Sequence, residues 1–262
     1  MTAYERLKMA RKQGRATAVS YIANLFDDFI ELKGDKALTD DMSIITGIGT
    51  IKGVPVTVIA QEKGTDLESR IAHNFGSPHP EGYRKAIRQM KQAEKFNRPV
   101  ITIIDTIGAA ADIAAEEHGQ GFAIAKAIET MLALETPCIS IFIGEGGSGG
   151  ALALACSDAV YMAENSVYSI LSPEGFASIL WKDEKRAKEA CEVMKITAED
   201  LLSLKVIDGI IKESEGGATP KSNEYFKSVE DILAAEITRL KAMDKKTLVK
   251  MRYERFRKID KI

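Results

Sequence analysis

The segment Gly144-Glu145-Gly146-Gly147-Ser148-Gly149-Gly150-Ala151 joins an apolar, β-rich run, Cys138 to Ile143, to the alanine-rich stretch Ala151 to Ala155. A strand has to end here, the chain has to turn, and a short helix has to begin. Five glycines within seven residues permit positive φ and let a ligand approach without meeting a Cβ. At the helix start, unpaired N–H groups and the positive end of the dipole face whatever lies there. A corner built this way suits a developing negative charge.

Three templates fit these residues. Gly144, Gly146 and Gly149 match a dinucleotide fingerprint, with Glu164 about 20 residues on as the ribose-binding acid. The next strand follows too soon, however, leaving room for a helix of at most roughly 15 Å. Gly146, Ser148 and Gly150 match a nucleophile elbow, but its histidine has to come after the serine. His73, His79 and His118 all come before it, and without a base the hydroxyl stays a weak nucleophile. The third template is an oxyanion hole of main-chain N–H groups, which needs no side-chain nucleophile. Tight helix-to-strand packing is the plainer alternative, although five glycines are more than packing alone requires.

Strand and helix signals alternate along the chain, which predicts an α/β fold. Residues 2–32 read as one helix, with Tyr21, Ile22, Leu25, Phe26, Phe29 and Ile30 on one face. Strands follow at 44–51 and 54–60, then a polar loop over 61–76. A helix is expected over 81–96 behind Pro80, a strand over 100–104 ending at Asp105, and a helix over 116–134. After the glycine corner come strands near 160–162, 167–171 and 206–211, a helix over 173–181, and charged helices over 224–260. The expected division is a helical segment over 1–40, a central domain over 41–215 and a C-terminal helical extension over 216–262.

Composition narrows the class. The 262 residues are 45% hydrophobic and carry a net charge of −2, so nothing global favours nucleic acid or an anionic membrane as a partner. Three widely spaced cysteines, Cys138, Cys156 and Cys191, fit small buried hydrophobes in a reducing compartment and no metal cluster. No apolar run approaches the roughly 20 residues of a membrane span, so a cytoplasmic location is expected. Arg84, Arg88, Lys91 and Lys95 form a basic stripe on one helix face, read first as solvated. His79, between two prolines, reads as a turn residue, and Trp181 as a cap on Phe176 and Leu180.

Taken together, the glycine corner, the segment Asn74-Phe75-Gly76-Ser77-Pro78-His79-Pro80 continuing to Ala86, Ser172 to Trp181 and Lys195 to Leu201 resemble the bacterial acetyl-coenzyme A carboxylase carboxyltransferase α subunit. The resemblance implies a crotonase-type (ClpP/crotonase) ββα spiral with N- and C-terminal helices. It implies carboxyl transfer from carboxybiotin, held on a separate biotin carboxyl carrier protein, to acetyl-coenzyme A, giving malonyl-coenzyme A. Biotin carboxylase would reload the carrier. A zinc-bearing β subunit would complete the site, with no metal in this chain. The backbone of Gly149, Gly150 and Ala151 would stabilise the biotin ureido oxygen. Gly146, Gly147, Gly108, Ala109, Glu174 and Gly175 would bind substrate.

One stretch departs from the family pattern. Ile107, Ala110, Ala111, Asp112 and Ala114 stand where the family carries two prolines, an aromatic and two glycines. Rigid and positive-φ positions are lost there, and Asp112 is expected to add a charge facing the cleft. Three readings stay open: a refolded loop with activity kept, a related acyl-coenzyme A carboxyltransferase with an altered pocket, or a low-activity scaffold paralogue.

Overall fold

Apolar residues alternate along the central strands and build a core on each face of one sheet. The computed structural model describes residues 1–259. Among these, eight strands assemble: β1 (Asp27–Glu31), β2 (Ile44–Ile51), β3 (Val54–Gln61), β4 (Val100–Thr106), β5 (Cys138–Gly147), β6 (Ala159–Ala163), β7 (Val167–Ser169) and β8 (Gly209–Ile211). Their order is β1-β2-β3-β4-β5-β6-β8, with β7 against the end of β5. The β1–β2 and β2–β3 pairs are antiparallel; from β3 onward the pairing is parallel.

Ile101, Ile103, Ile139, Ile141 and Ile143 pack with α2 (Ala18–Leu25) and α11 (Asn223–Lys241). Val100, Ile104, Cys138 and Phe142 pack on the other face with α4 (Pro80–Lys95) and α6 (Gln120–Ala133). Burial on both faces is why β4 and β5 read as nearly continuous apolar runs. The polar exceptions are paired: the Thr102 hydroxyl donates to Ser140 Oγ at 2.7 Å, and Ser140 Oγ donates to the Leu154 carbonyl at 2.9 Å.

Several expectations need correction. Residues 2–32 are not one helix but α1 (Ala3–Ala10), α2 and then β1. Gly14, at φ +81°, interrupts the helical path. The Phe29 ring occupies the space a Cβ on Gly47 would need, 2.4 Å away, so glycine in β2 lets Asp27–Glu31 lie on the sheet edge. The 61–76 loop contains α3 (Leu67–Ala72) and a 3-10 turn, Asn74–Gly76. The helix expected over 116–134 divides into α5 (Ile113–Glu117) and α6 at Gly119, φ +80°. β5 continues through Gly144, Gly146 and Gly147, so these three belong to the strand rather than to a turn. The strand expected over 206–211 is shortened to Gly209–Ile211.

The remaining helices are α7 (Ser148–Leu152), α8 (Pro173–Trp181), α9 (Ala187–Met194), α10 (Ala198–Ser203) and α12 (Lys245–Ile259). Residues 260–262, the end of the expected extension, lie outside the described residues. Arg252 of α12 is fully buried. It donates to Asp158 at 2.8 and 2.9 Å and to the carbonyls of Met131, Leu134 and Thr136 at 2.7–3.1 Å. No helix among the described residues is long and apolar enough to cross a membrane.

Candidate functional site

β4 and β5 run parallel, and their carboxyl ends, where open α/β sheets bind ligands, carry the 107–112 loop and the glycine corner. None of the five glycines from 144 to 150 has positive φ; Ser148 does, at +52°. The glycines serve close approach instead. A Cβ on Gly144 would lie 2.3 Å from Asp105 Oδ1, on Gly147 2.3 Å from the Ile107 carbonyl oxygen, and on Gly150 2.6 Å from the Ala109 nitrogen. Gly149 is different: its nearest neighbour would be Ile124 Cγ2 at 3.5 Å.

The corner leaves amides free. Gly149 and Gly150 fall in the first turn of α7, whose N-cap is Gly147, and first-turn N–H groups have no partner in the helix's own i→i−4 ladder. Ala151 is fully buried and sits one position further on, where a helix begins to use its N–H groups internally. The Gly150 carbonyl accepts from Gln61 Nε2 at 2.9 Å and from the Tyr83 hydroxyl at 3.1 Å. Burial holds the Tyr83 phenol protonated, well above its ordinary range.

Ser148 and Gly149 line a groove of about 530 Å³ with Leu152, Tyr168, Ile170 and Met194. Gly146 and Gly147 face a different, much smaller cavity beside Arg11, Glu145 and Pro173. Gly108 and Ala109 pack on Gly147 and Gly150. Glu174 lies on neither wall of the groove: it pairs with Arg11 at 2.7 Å, and Gly175 N–H donates to Ser172 Oγ at the start of α8. A larger cavity, about 740 Å³, lies along α12 and contains none of these residues.

Charge is concentrated behind the corner. Asp105 is buried, 2.8 Å from Lys63 Nζ, and accepts the Glu145 N–H at 2.9 Å. Burial raises the Glu145 carboxyl, outweighing the Arg11 guanidinium 2.9 Å away. Gln61, Tyr83, Lys63, Asp105, Glu145 and Arg11 were not singled out as site residues from sequence. One signal was available: Gln61 closes a strand that is apolar apart from Thr57.

The histidines explain why an elbow chemistry fails. His73 Nδ1 bonds the Met42 carbonyl, His79 Nε2 lies 2.9 Å from Asp112, and His118 Nδ1 lies 2.8 Å from Glu81. Ser148 thus has an elbow's backbone without its base. The basic stripe is also partly absorbed into structure: Arg84 pairs with Asp35 at 2.8 Å, and Arg88 donates to the Lys33 and Gly34 carbonyls. Trp181 meets Phe176 edge-on at 5.5 Å and carries the Arg186 guanidinium on its face, while Leu180 is exposed.

The divergent loop is ordered by its own contacts. Ala110 N–H donates to the Pro78 carbonyl at 2.9 Å, and Gln120 Nε2 bridges the Pro78 and Ala110 carbonyls. Asp112 does not add an unpaired charge to the groove; it caps α5 through the Ala115 N–H at 2.8 Å and bonds His79. Those two hydrogen bonds hold its carboxyl below the ordinary range. Asp112→Ala is expected to speed amide exchange several-fold across 110–117 while the central strands stay protected. In the native protein the cap holds at neutral pH and is lost only as pH falls through the lowered folded pKa. Unchanged exchange at those amides would refute the capping role.

Comparison with known proteins gives a consistent result. The family described as acetyl co-enzyme A carboxylase carboxyltransferase-like matches residues 1–260. The chain is 52% identical over 261 residues to the acetyl-coenzyme A carboxylase carboxyl transferase subunit alpha of Clostridium acetobutylicum, covering all of this chain and 95% of that protein. Identity to the subunit alpha of Streptococcus equi subsp. zooepidemicus is 55% over 252 residues, 96% of this chain and 97% of that one. A relative from Natranaerobius thermophilus, named for subunits beta/alpha, is 52% identical over 99% of this chain, which spans only 43% of its length. Among solved structures, transcarboxylase 12S superimposes with a TM-score of 0.68 at 17% identity over 88% of this chain and 44% of that one. The fold is therefore the crotonase-type fold of such carboxyltransferases.

Proposed function

Because the chain belongs to the acetyl-coenzyme A carboxylase carboxyltransferase family, as an α subunit, we propose that it transfers a carboxyl group from carboxybiotin to acetyl-coenzyme A, forming malonyl-coenzyme A. The observation that carries this is the pair of first-turn amides at Gly149 and Gly150, at the N-terminus of α7, with Gly149 on the lip of a largely apolar groove. That groove, about 530 Å³ and lined by Leu152, Tyr168, Ile170 and Met194 beside Ser148, suits a bicyclic ring that is apolar except for one polar edge. Bound there on its carrier protein, biotin would supply the carboxyl group and a ureido oxygen that takes up negative charge.

The chain's own part is electrostatic. Gly149 and Gly150 present N–H dipoles to that oxygen, while the Ala151 N–H is used by the first turn of α7; each such donor is worth about 3–4 kcal/mol at a transition state. Gly108 and Ala109 back the corner and hold its position. Among the described residues no histidine is paired with Ser148, so the proposed chemistry assigns that serine no nucleophilic part. A β subunit is proposed to hold acetyl-coenzyme A opposite the corner, in keeping with relatives in which beta and alpha form one chain.

Reconstitution with a family β subunit, with carboxybiotin as donor, tests the proposal. Malonyl-coenzyme A formation, absent from either chain alone, is the expected outcome. Assembly without turnover would instead indicate a scaffold, and turnover of longer acyl thioesters but not acetyl-coenzyme A a related carboxyltransferase.

A further inference from the structure

Gly150 lies between two peptide planes: one bears its own N–H, the other its carbonyl and the Ala151 N–H. Glycine resists rotation of neither, so a corner of consecutive glycines aims its amides only where neighbours hold them. α7 includes these glycines but leaves the Gly150 carbonyl without a helical donor. It ends at Leu152, and the Leu154 N–H donates to the Ala151 carbonyl, not to Gly150. Two fully buried side chains take over, Gln61 from the end of β3 at 2.9 Å and Tyr83 from α4 at 3.1 Å.

A single donor would satisfy that carbonyl; two donors from separate elements also fix its direction. Gln61 does this at a cost, since its Oε1 is buried with no partner among the described residues. Methionine would fill a similar volume without leaving a polar atom stranded. A stranded atom retained in a core calls for a reason beyond packing.

We infer that Gln61 and Tyr83 are positioning residues for carboxyl transfer, clamping the Gly150 carbonyl so that the corner's amides point at the oxyanion before it forms. Neither side chain touches substrate; both act through the backbone. The inference rests on the carboxyltransferase function proposed above.

Gln61→Met and Tyr83→Phe, each assembled with the β subunit, remove one donor at nearly constant volume. Each is expected to lower kcat roughly tenfold, less than the roughly 10²–10³ of losing a direct oxyanion donor. KM for acetyl-coenzyme A and for carboxybiotin should stay within about twofold, the signature of a transition-state effect. Gln61→Glu adds a readout that packing would not move. A protonated carboxyl donates and a carboxylate does not, so its activity relative to wild type should rise as pH falls. Wild-type kcat in both single variants, a pH-independent ratio for Gln61→Glu, or losses that track the unfolded fraction would overturn the positioning role and leave the carboxyltransferase function standing. An inactive wild-type complex would overturn both.

Discussion

Gly150→Ala is expected to lower carboxyl transfer by about 100-fold or more, because displacing a preorganised donor by roughly 1 Å is enough to do so. The added Cβ would lie 2.6 Å from the Ala109 nitrogen and 2.9 Å from the Tyr83 hydroxyl. Ala109 is backbone in a loop tied to Pro78 through Ala110, so it cannot yield without moving that loop. Overpacking of this kind costs about 1–3 kcal/mol of stability as well. Gly149→Ala should have the opposite sign. With 3.5 Å to its nearest neighbour and no positive φ, it should stabilise the fold by about 0.4–1 kcal/mol through the unfolded chain. Denaturant titration of both variants, with the reconstituted assay for Gly150→Ala, decides the matter. A fully active and stable Gly150→Ala protein would remove the close-approach explanation of the corner.

Arg252→Met should cost about 3–5 kcal/mol of stability, as is usual when one partner of a buried ion pair is removed. Its guanidinium neutralises Asp158 at 2.8 Å while satisfying three carbonyls around residues 131–136. Burial already raises the Asp158 carboxyl despite that pairing, so an unpaired charge there would be poorly tolerated. Adding Asp158→Asn to Arg252→Met should recover part of the loss, since the stranded charge is gone. A loss below about 1 kcal/mol in the single variant, measured by denaturant unfolding, would mean that α12 is not anchored this way.

Much of the fold was legible because burial leaves a periodic trace. The apolar runs of β3, β4 and β5 and the helical spacing of α4 record which faces are covered. Element ends were less legible. The face Tyr21, Ile22, Leu25 is helical and buried, but Phe26 is already extended at the helix end, and the same spacing carried on to Phe29 and Ile30 belongs to a strand. Only the space left by Gly47 decides that. The loop from Ile107 to Ala114 looked weakened by its missing prolines and glycines, but Asp112, His79 and Gln120 hold it through contacts distant in sequence.

The sequence by itself determined that a glycine-rich strand-to-helix corner exists, that no histidine follows Ser148, and which family the segments around it resemble. These are local patterns, and local patterns survive in one dimension. Only the tertiary structure decided that Ser148, not a glycine, takes the positive φ, that the glycines admit Asp105, Ile107 and Ala109, and that Gln61 and Tyr83 meet at one carbonyl. Such contacts depend on packing between β3, α4, β4 and β5, and no spacing along the chain encodes how closely two backbones approach.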